Sequence, residues 1–429
     1  MAKLTLQAIL LLCLSLSGVL SVSNRIIPIK ENFEAVIAFG SCNDQRINQD
    51  PKIFRAILDL KPDVWLWVGD VSYITSNKAD PTINQREFNI SKNSPSYTEL
   101  RNKIPILGVW DDHDYGVNNG DKSYKYKERS RHLYLDFLDE PKDSIRRTRP
   151  DGIYESYYIG QAKKIKVILL DVRFNRDWRF SLSSTADILG QAQWEWFEEE
   201  LKDNAPDFFI VASGTQIMVD DRFYPEHWYT YSRNKLIETI RKLKRSGVVL
   251  LSGDVHYSEM MEYPCPQRVG YKLHEFTSSG LTHHMSGYNL PYGGELVNAI
   301  APYTFNTPNA RFLYENFGVL RITLTGKKSI IMETRNEAGA IVLVKEIPYS
   351  DLQFDEKKID LNAPCVLDKN PFIRIVTQYI NGMSNGDIIL WGFTLVGGVG
   401  ALAVLAIAYI GFTILRKMFS KPTKETKTD

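Results

Sequence analysis

Val64-Trp65-Leu66-Trp67-Val68-Gly69-Asp70-Val71-Ser72-Tyr73 is the stretch on which the fold of this chain turns. Five consecutive apolar residues between Pro62-Asp63 and Gly69-Asp70 have the length of a strand and no polar alternation, so both faces must be covered, as in the interior of a parallel sheet. The same pattern recurs at Ala35 to Phe39, ahead of Gly40-Ser41-Cys42-Asn43-Asp44, and at Ile104 to Trp110, ahead of Asp111-Asp112-His113-Asp114. A fourth copy, Val248 to Leu251, runs into Ser252-Gly253-Asp254-Val255-His256. Between the first two strands, Asp50 offers an N-cap, Pro51 the first helical position, and Ile53, Ile57 and Leu58 one apolar face.

Working outward, further strands are expected at Ile165 to Leu170 and Phe208 to Ala212, with helices near Lys122 to Leu138, Gln191 to Lys202 and Ser232 to Arg245. Beyond Ser252 the pattern changes to successive strands, including Phe317 to Leu324, Ile330 to Glu333 and Ile341 to Val344. The expectation is one α/β domain with mixed sheets over residues 24–348, followed by a polar juxtamembrane segment at 349–387. With 429 residues, 44% of them hydrophobic and 24% charged, the chain has ample material for a large core and is neither disordered nor fibrous. Its 52 Lys and Arg against 51 Asp and Glu leave no cationic excess for phosphate backbones, which excludes nucleic acid as an expected partner.

The two ends carry targeting signals. Lys3 followed by the apolar run Leu4 to Leu20 and the small residues Ser21 and Ser23 fits a secretory signal peptide, residues 1–23, with the mature chain starting near Val22 to Asn24. Residues 388–415 are an uncharged run long enough to cross a bilayer, and Arg416, Lys417 and three further lysines follow it. The expected topology is therefore a single-pass type I membrane protein, anchored through its C-terminal helix, with 416–429 in the cytosol and the catalytic domain extracellular or lumenal. Cys13 would leave with the signal peptide. Cys265 and Cys365, each in a proline-marked loop, are the expected disulfide pair, leaving Cys42 for other work. Asn89-Ile90-Ser91 is a glycosylation sequon.

A Gly-Asp after a strand is ordinarily a turn. Four strand ends carrying Asp, His, Cys and Tyr together change that balance, because open α/β sheets place ligands just beyond the C-terminal ends of their strands. Several carboxylates converging there cannot remain ionised without cations. Cys42 and Tyr73, beside Asp70 and His256, form an anionic donor set suited to a hard trivalent ion such as Fe(III), and Asp112 and Asp254 would supply oxygens to a second, divalent cation.

These blocks resemble those of the calcineurin-like metallophosphoesterases, and in their Cys42 and Tyr73 variants those of the alkaline phosphatase D (PhoD-like) branch. Trp110 to Asn118, Leu170 to Arg176, Leu189 to Trp194 and Phe276 to Thr282 add to the resemblance, which spans about Ala35 to Val344. It implies a four-layer α-β-β-α sandwich. It also implies ferric ligands at Cys42, Asp70, Tyr73 and His256, with Asp70 bridging to a second ion, Ca2+ in this branch, held by Asp112 and Asp254. Asn118 is a further ligand candidate, with Asn119 as the alternative. His113 matches the histidine that faces the scissile phosphate and stabilises the transition state or protonates the leaving oxygen. The implied activity is hydrolysis of phosphomonoesters, phosphodiesters or both, by hydroxide generated at the metals.

Around this set, Arg173 and Arg176 would either clamp the substrate phosphate or pair with Asp171 or Asp177. His283 and His284 would line the pocket rim or belong to an ordinary loop, and Tyr224, Trp228, Tyr229 and Tyr231 would wall a groove or simply pack. His132, His227 and His274 are expected to be structural. A specificity for lipid headgroups or glycans is a narrower enzymatic alternative. A receptor or adhesion protein that kept the fold and lost catalysis is the non-enzymatic one, but Asp70, His113 and His256 are all present.

Overall fold

In the computed structural model the described residues are 26–30, 33–73, 81–222, 227–287 and 301–382. The expected signal peptide, the apolar run 388–415 and Tyr224 lie outside them. Among the described residues no helix is long and apolar enough to cross a membrane.

Two sheets form the frame. The strands, in chain order, are β1 (Ile26–Ile27), β2 (Glu34–Gly40), β3 (Val64–Val68), β4 (Ile106–Val109), β5 (Glu155–Ile159), β6 (Ile165–Leu170) and β7 (Phe208–Ser213). They continue with β8 (Val248–Ser252), β9 (Ser258–Glu262), β10 (His274–Ser278), β11 (Arg311–Phe312), β12 (Asn316–Thr323), β13 (Ser329–Asn336) and β14 (Ile341–Pro348). One sheet runs β14-β13-β12-β2-β3-β4, the other β1-β5-β6-β7-β8-β10-β9-β11. In the first, β2, β3 and β4 are parallel and the late strands β12 to β14 antiparallel. In the second, β6, β7, β8 and β10 run parallel. Both sheets are thus mixed, as the change of pattern after Ser252 requires.

The period-two alternation of β3 shows how the layers form. Trp65 and Trp67 point to one face, where Phe54 of helix Ile53–Leu60 meets both rings at 6.4 and 5.9 Å. Tyr97 of helix Pro95–Arg101 joins them, its hydroxyl accepting the Trp67 indole N–H at 3.0 Å. Each such aromatic pair is worth about 0.5–1.5 kcal/mol beyond the area it buries. Toward the other sheet, Phe39 of β2 meets Phe276 of β10 edge-on at 5.0 Å, joining the two sheets in one core. Helix Gln191–Lys202 buries Trp194, Phe197 and Leu201, and helix Thr230–Lys242 buries Leu236, Ile237 and Ile240.

The helices Pro81–Lys92 and Pro95–Arg101 were not expected from apolar periodicity; the second starts from Ser94, whose hydroxyl accepts the Tyr97 N–H. Strands β5, β9 and β10 were likewise not anticipated. Two compact units are distinguished, Met1–Pro371 and Phe372–Asp429. The first runs past Pro348: Leu352 is buried, its carbonyl accepts the Gly247 N–H at 2.9 Å, and Cys365 is disulfide-bonded to Cys265 across 100 residues. Residues 349–368 are therefore a folded strap on the first unit, short of apolar residues because it is built from turns and one covalent bond.

Candidate metal centre

The loops that follow β2, β3, β4 and β8 meet at one edge of the two sheets. Register brings them there, since Gly40 lies opposite Trp67 and Val68 opposite Val109. Glycine permits the final approach at two points. A Cβ on Gly69, whose φ is +91°, would lie 2.4 Å from the Asp111 Cβ, and one on Gly253 would lie 2.3 Å from the Val68 carbonyl oxygen. The Gly in each Gly-Asp pair is what lets the next residue reach its neighbours.

Cys42, Asp70, Tyr73, Asp112 and His256 are buried, and Asp254 is partly so. Asp70 is the hub. Its Oδ2 lies 3.6 Å from Cys42 Sγ and accepts the Tyr73 hydroxyl at 3.3 Å, and that hydroxyl is 3.0 Å from His256 Nε2. Oxygens of Asp70, Asp111, Asp112 and Asp254 lie within 4.8 Å of one another, as do ligand atoms of Asp70, Asp112 and His113. The expected first set and the expected second set thus share Asp70. Cys42, Asp70, Asp254 and His256 all adopt positive φ, between 50° and 73°. Left-handed backbone at a non-glycine residue costs about 1–3 kcal/mol, and four cases at one point mark a geometry held for its side chains.

The electrostatics agree. Burial, followed by the charges of Asp112, Asp111 and Asp114, holds the Asp70 carboxyl well above the usual carboxylate range. Burial and then Asp70 push the Cys42 thiol up, and burial, Cys42 and Asp70 push up the Tyr73 phenol. Burial, with His283 and His113 nearby, holds His256 well below the ordinary imidazole range. The protein has gathered acidic donors where it alone disfavours their charge. Oxygen, thiol, phenol and imidazole donors disposed in this way fit a pair of cations sharing Asp70.

Asp112 behaves differently, its carboxyl lying below the ordinary value. Burial opposes the charge, but His113, Arg173 and the backbone N–H groups of Asn119 and His113 overcome it. Asn119 is thus the residue tied to Asp112, through its backbone N–H at 2.6 Å, whereas Asn118 is exposed. His113 is partly exposed at the mouth, its ring 4.0 Å from that of Tyr73. His283 belongs to the same group, 4.0 Å from the His256 ring and 4.9 Å from Tyr73. It arrives because the backbone N–H groups of Thr282 and His283 bond to the Cys42 carbonyl, joining the loop after β10 to the loop after β2.

The two arginines have different partners. Arg173 is buried and gives its Nε–H to Asp111 Oδ1 at 2.6 Å, rather than pairing with Asp171 or Asp177. Asp171 instead accepts the Trp110 indole and the Arg173 and Phe174 N–H groups, and Asp177 pairs with Lys122 at 2.5 Å. The Arg176 guanidinium lies over the Tyr229 ring at 4.9 Å. Trp228 is a core residue whose indole N–H bonds to Ser213 Oγ at 3.0 Å, so it packs rather than walls a groove.

Three participants escaped the sequence reading. Asp111 lies among the converging carboxylates, and its place beside Asp112 was the available signal. Asp114 accepts the Val71 and Asp111 N–H groups at 2.9 and 3.1 Å, tying two site loops together. Ser279 lies 3.0 Å from Cys42 Sγ and accepts the His256 N–H at 2.9 Å; nothing local distinguishes it from any turn serine.

A family model described as PhoD-like phosphatase matches residues 37–332. Among solved structures, one titled as the structure of PhoD is similar over 74% of this chain and 69% of that one, at 16% identity and a TM-score of 0.56. A purple acid phosphatase from yellow lupin (Lupinus luteus) seeds is similar over 78% of this chain and 58% of that one, at 13% identity and a TM-score of 0.50. These likenesses show the same two-sheet fold. No curated protein matches the chain.

Proposed function

The chain belongs to the PhoD-like phosphatase family, and from that premise we propose that it is a metal-dependent phosphoesterase working at the edge where Cys42, Asp70, Asp112 and His256 meet. The observation that carries this is the convergence on Asp70 of donors from four loops, three of which present theirs from positive-φ positions. Cys42, Asp70, Tyr73 and His256 would hold Fe(III); Asp70, Asp112 and Asp254 would hold a divalent cation, with Ca2+ the proposed species. Bound there, the cations supply charge for the phosphoryl oxygens and acidify the attacking water.

The chain's own residues do the rest. Asp112, fixed by two backbone N–H groups, keeps its oxygens directed into the centre. His113, partly exposed above it, is placed to give a proton to the leaving alcohol oxygen. His283 and Tyr73 flank His113 and His256. Arg173 pairs with Asp111 and helps to hold Asp112 in its charged form. Phosphate-ester substrates follow from the family.

The proposed setting is the secretory pathway, with residues 1–23 as signal peptide and 388–415 as the membrane anchor of a type I protein. The Cys265–Cys365 bond and the exposed Asn89 of the sequon support that compartment. The test is metal analysis and a visible spectrum of the purified protein, with hydrolysis of p-nitrophenyl phosphate and of its bis ester. Iron with a thiolate or phenolate charge-transfer band and turnover is the expected result. A protein that takes up no metal on reconstitution would overturn the assignment.

A further inference from the structure

Outside the centre, the loop leaving β6 has an unusual tip. Trp178 and Phe180 are each 60% exposed and Leu182 is fully so, at 101%. The three alternate with Arg179 and Ser181, and the Trp178 and Phe180 rings meet edge-on at 5.3 Å. The stem is closed. Asp177 N–H bonds to the Asp187 carbonyl at 2.9 Å and Asp187 N–H returns to Asp177 Oδ2 at 2.8 Å, so the intervening residues project as a compact loop with ends held together. Apolar side chains of this size, displayed on a pinned stem, mark an interaction surface.

Its surroundings identify the partner. The Arg179 guanidinium lies over Phe180 at 4.9 Å, and the neighbouring segment Asp121 to Lys127 carries Lys122, Lys125 and Lys127, with Lys125 over the Tyr126 ring at 4.6 Å. That segment is fastened to the loop by the Lys122 N–H to the Arg176 carbonyl and by Lys127 Nζ to the Phe174 carbonyl. Lys122 is neutralised by Asp177 of the stem and Lys127 is held by the Phe174 carbonyl, which leaves Arg179 and Lys125, each over an aromatic ring, as the cations of the patch. An apolar tip with such cations is complementary to a bilayer, whose hydrocarbon boundary takes the tip and whose anionic headgroups meet the two charges.

We propose that the Trp178–Phe180–Leu182 tip inserts into the headgroup region of an anionic lipid bilayer. Both segments of the patch continue from loops of the metal centre, through Arg173 on one side and Asn119 on the other. A docked bilayer therefore lies alongside the mouth, favouring esters carried at the membrane surface. That consequence rests on the phosphoesterase reading; insertion does not.

The test uses the full chain in phosphatidylcholine vesicles with and without about 30% phosphatidylserine. Phe180→Cys carries an environment-sensitive fluorophore, Glu199→Cys on the exposed face of helix Gln191–Lys202 serves as the control, and the unsubstituted chain with its buried Cys42 gives the background. The expected result is a rise of roughly twofold or more in emission at position 180 with phosphatidylserine, quenching by nitroxide-labelled lipid, and weakening at high salt. Lack of quenching at 180, or equal quenching at 199, would overturn the proposal. So would disulfide cross-linking between Phe180→Cys chains in the vesicles, which would assign the tip to a second copy. Turnover of p-nitrophenyl phosphate, read on the same samples, separates failure of the enzyme reading from failure of insertion.

Discussion

The molecule buries carboxylates in two places and treats them in opposite ways. At Glu259, on β9, burial works against the charge, but Arg222 at 3.2 Å and Arg311 at 2.5 Å overcome it and hold the carboxyl down at about 2. At Asp70, burial and the neighbouring carboxylates push the same chemistry up. The Glu259 cluster is electrically complete within the chain, whereas the Asp70 cluster is balanced only when cations arrive. The difference separates a charge kept for architecture from a charge kept for a ligand.

That contrast can be broken by substitution. Asp70→Asn is expected to lower turnover by about three orders of magnitude or more, to abolish metal uptake, and to leave the metal-free protein at least as stable as metal-free wild type. Added metal should then raise the melting temperature of wild type alone. A metal-free Asp70→Asn protein that melts well below metal-free wild type would erase the distinction. Glu259→Gln should do the reverse, losing about 3–5 kcal/mol in urea denaturation because the buried Arg311 guanidinium loses its carboxylate and Arg222 is left with Asp221 alone, while turnover per folded molecule is kept.

The pH dependence sharpens the same point. Glu259 has a folded value of about 2 against an ordinary 4.5, so its stabilisation is fully present above pH 4.5 and is lost as pH falls through 2. The stability gap between wild type and Glu259→Gln should therefore narrow across that window, and a constant gap would contradict the ion-pair origin. His113→Ala sits between the two extremes. It should keep the metals and cut turnover by about 10²–10⁴, with metal content and rate measured on one preparation. The smallest effect on turnover is expected at the disulfide: Cys365→Ser should cost about 2–5 kcal/mol of stability with turnover of a soluble ester unchanged.

The parts of the site that were legible in the sequence share a cause. Cys42, Asp70, Tyr73, Asp112, Asp254 and His256 each lie within about five residues of a strand end, and the strand is itself a local apolar run. Ser279 comes from the loop after β10, a strand whose His-Glu-Phe-Thr-Ser sequence has no apolar run to announce it, and His283 of the same loop could be read only as a rim candidate. Their approach depends on β10 pairing with β8 and on the loop bonding to the Cys42 carbonyl. The helices before β4 were missed because helix Pro81–Lys92 lacks a strong apolar stripe, even though Ser94-Pro95 is a sound capping signal for the next helix. Arg173 was seen as charged and near the site, but its partner was not, because Asp111 is 62 residues away in sequence.

Local pattern alone therefore dictated the α/β class, the strand ends that bear ligands, and the donor types that call for cations. Strand propensity, turn chemistry and ligand identity are written within a few residues of one another. Three-dimensional folding decided which of those ends meet, that Arg173 serves Asp111, that residues 349–368 close over the first unit, and that Trp178, Phe180 and Leu182 stand in solvent. Those outcomes rest on sheet order and on contacts between distant segments, whose energies depend on what each side chain finally faces.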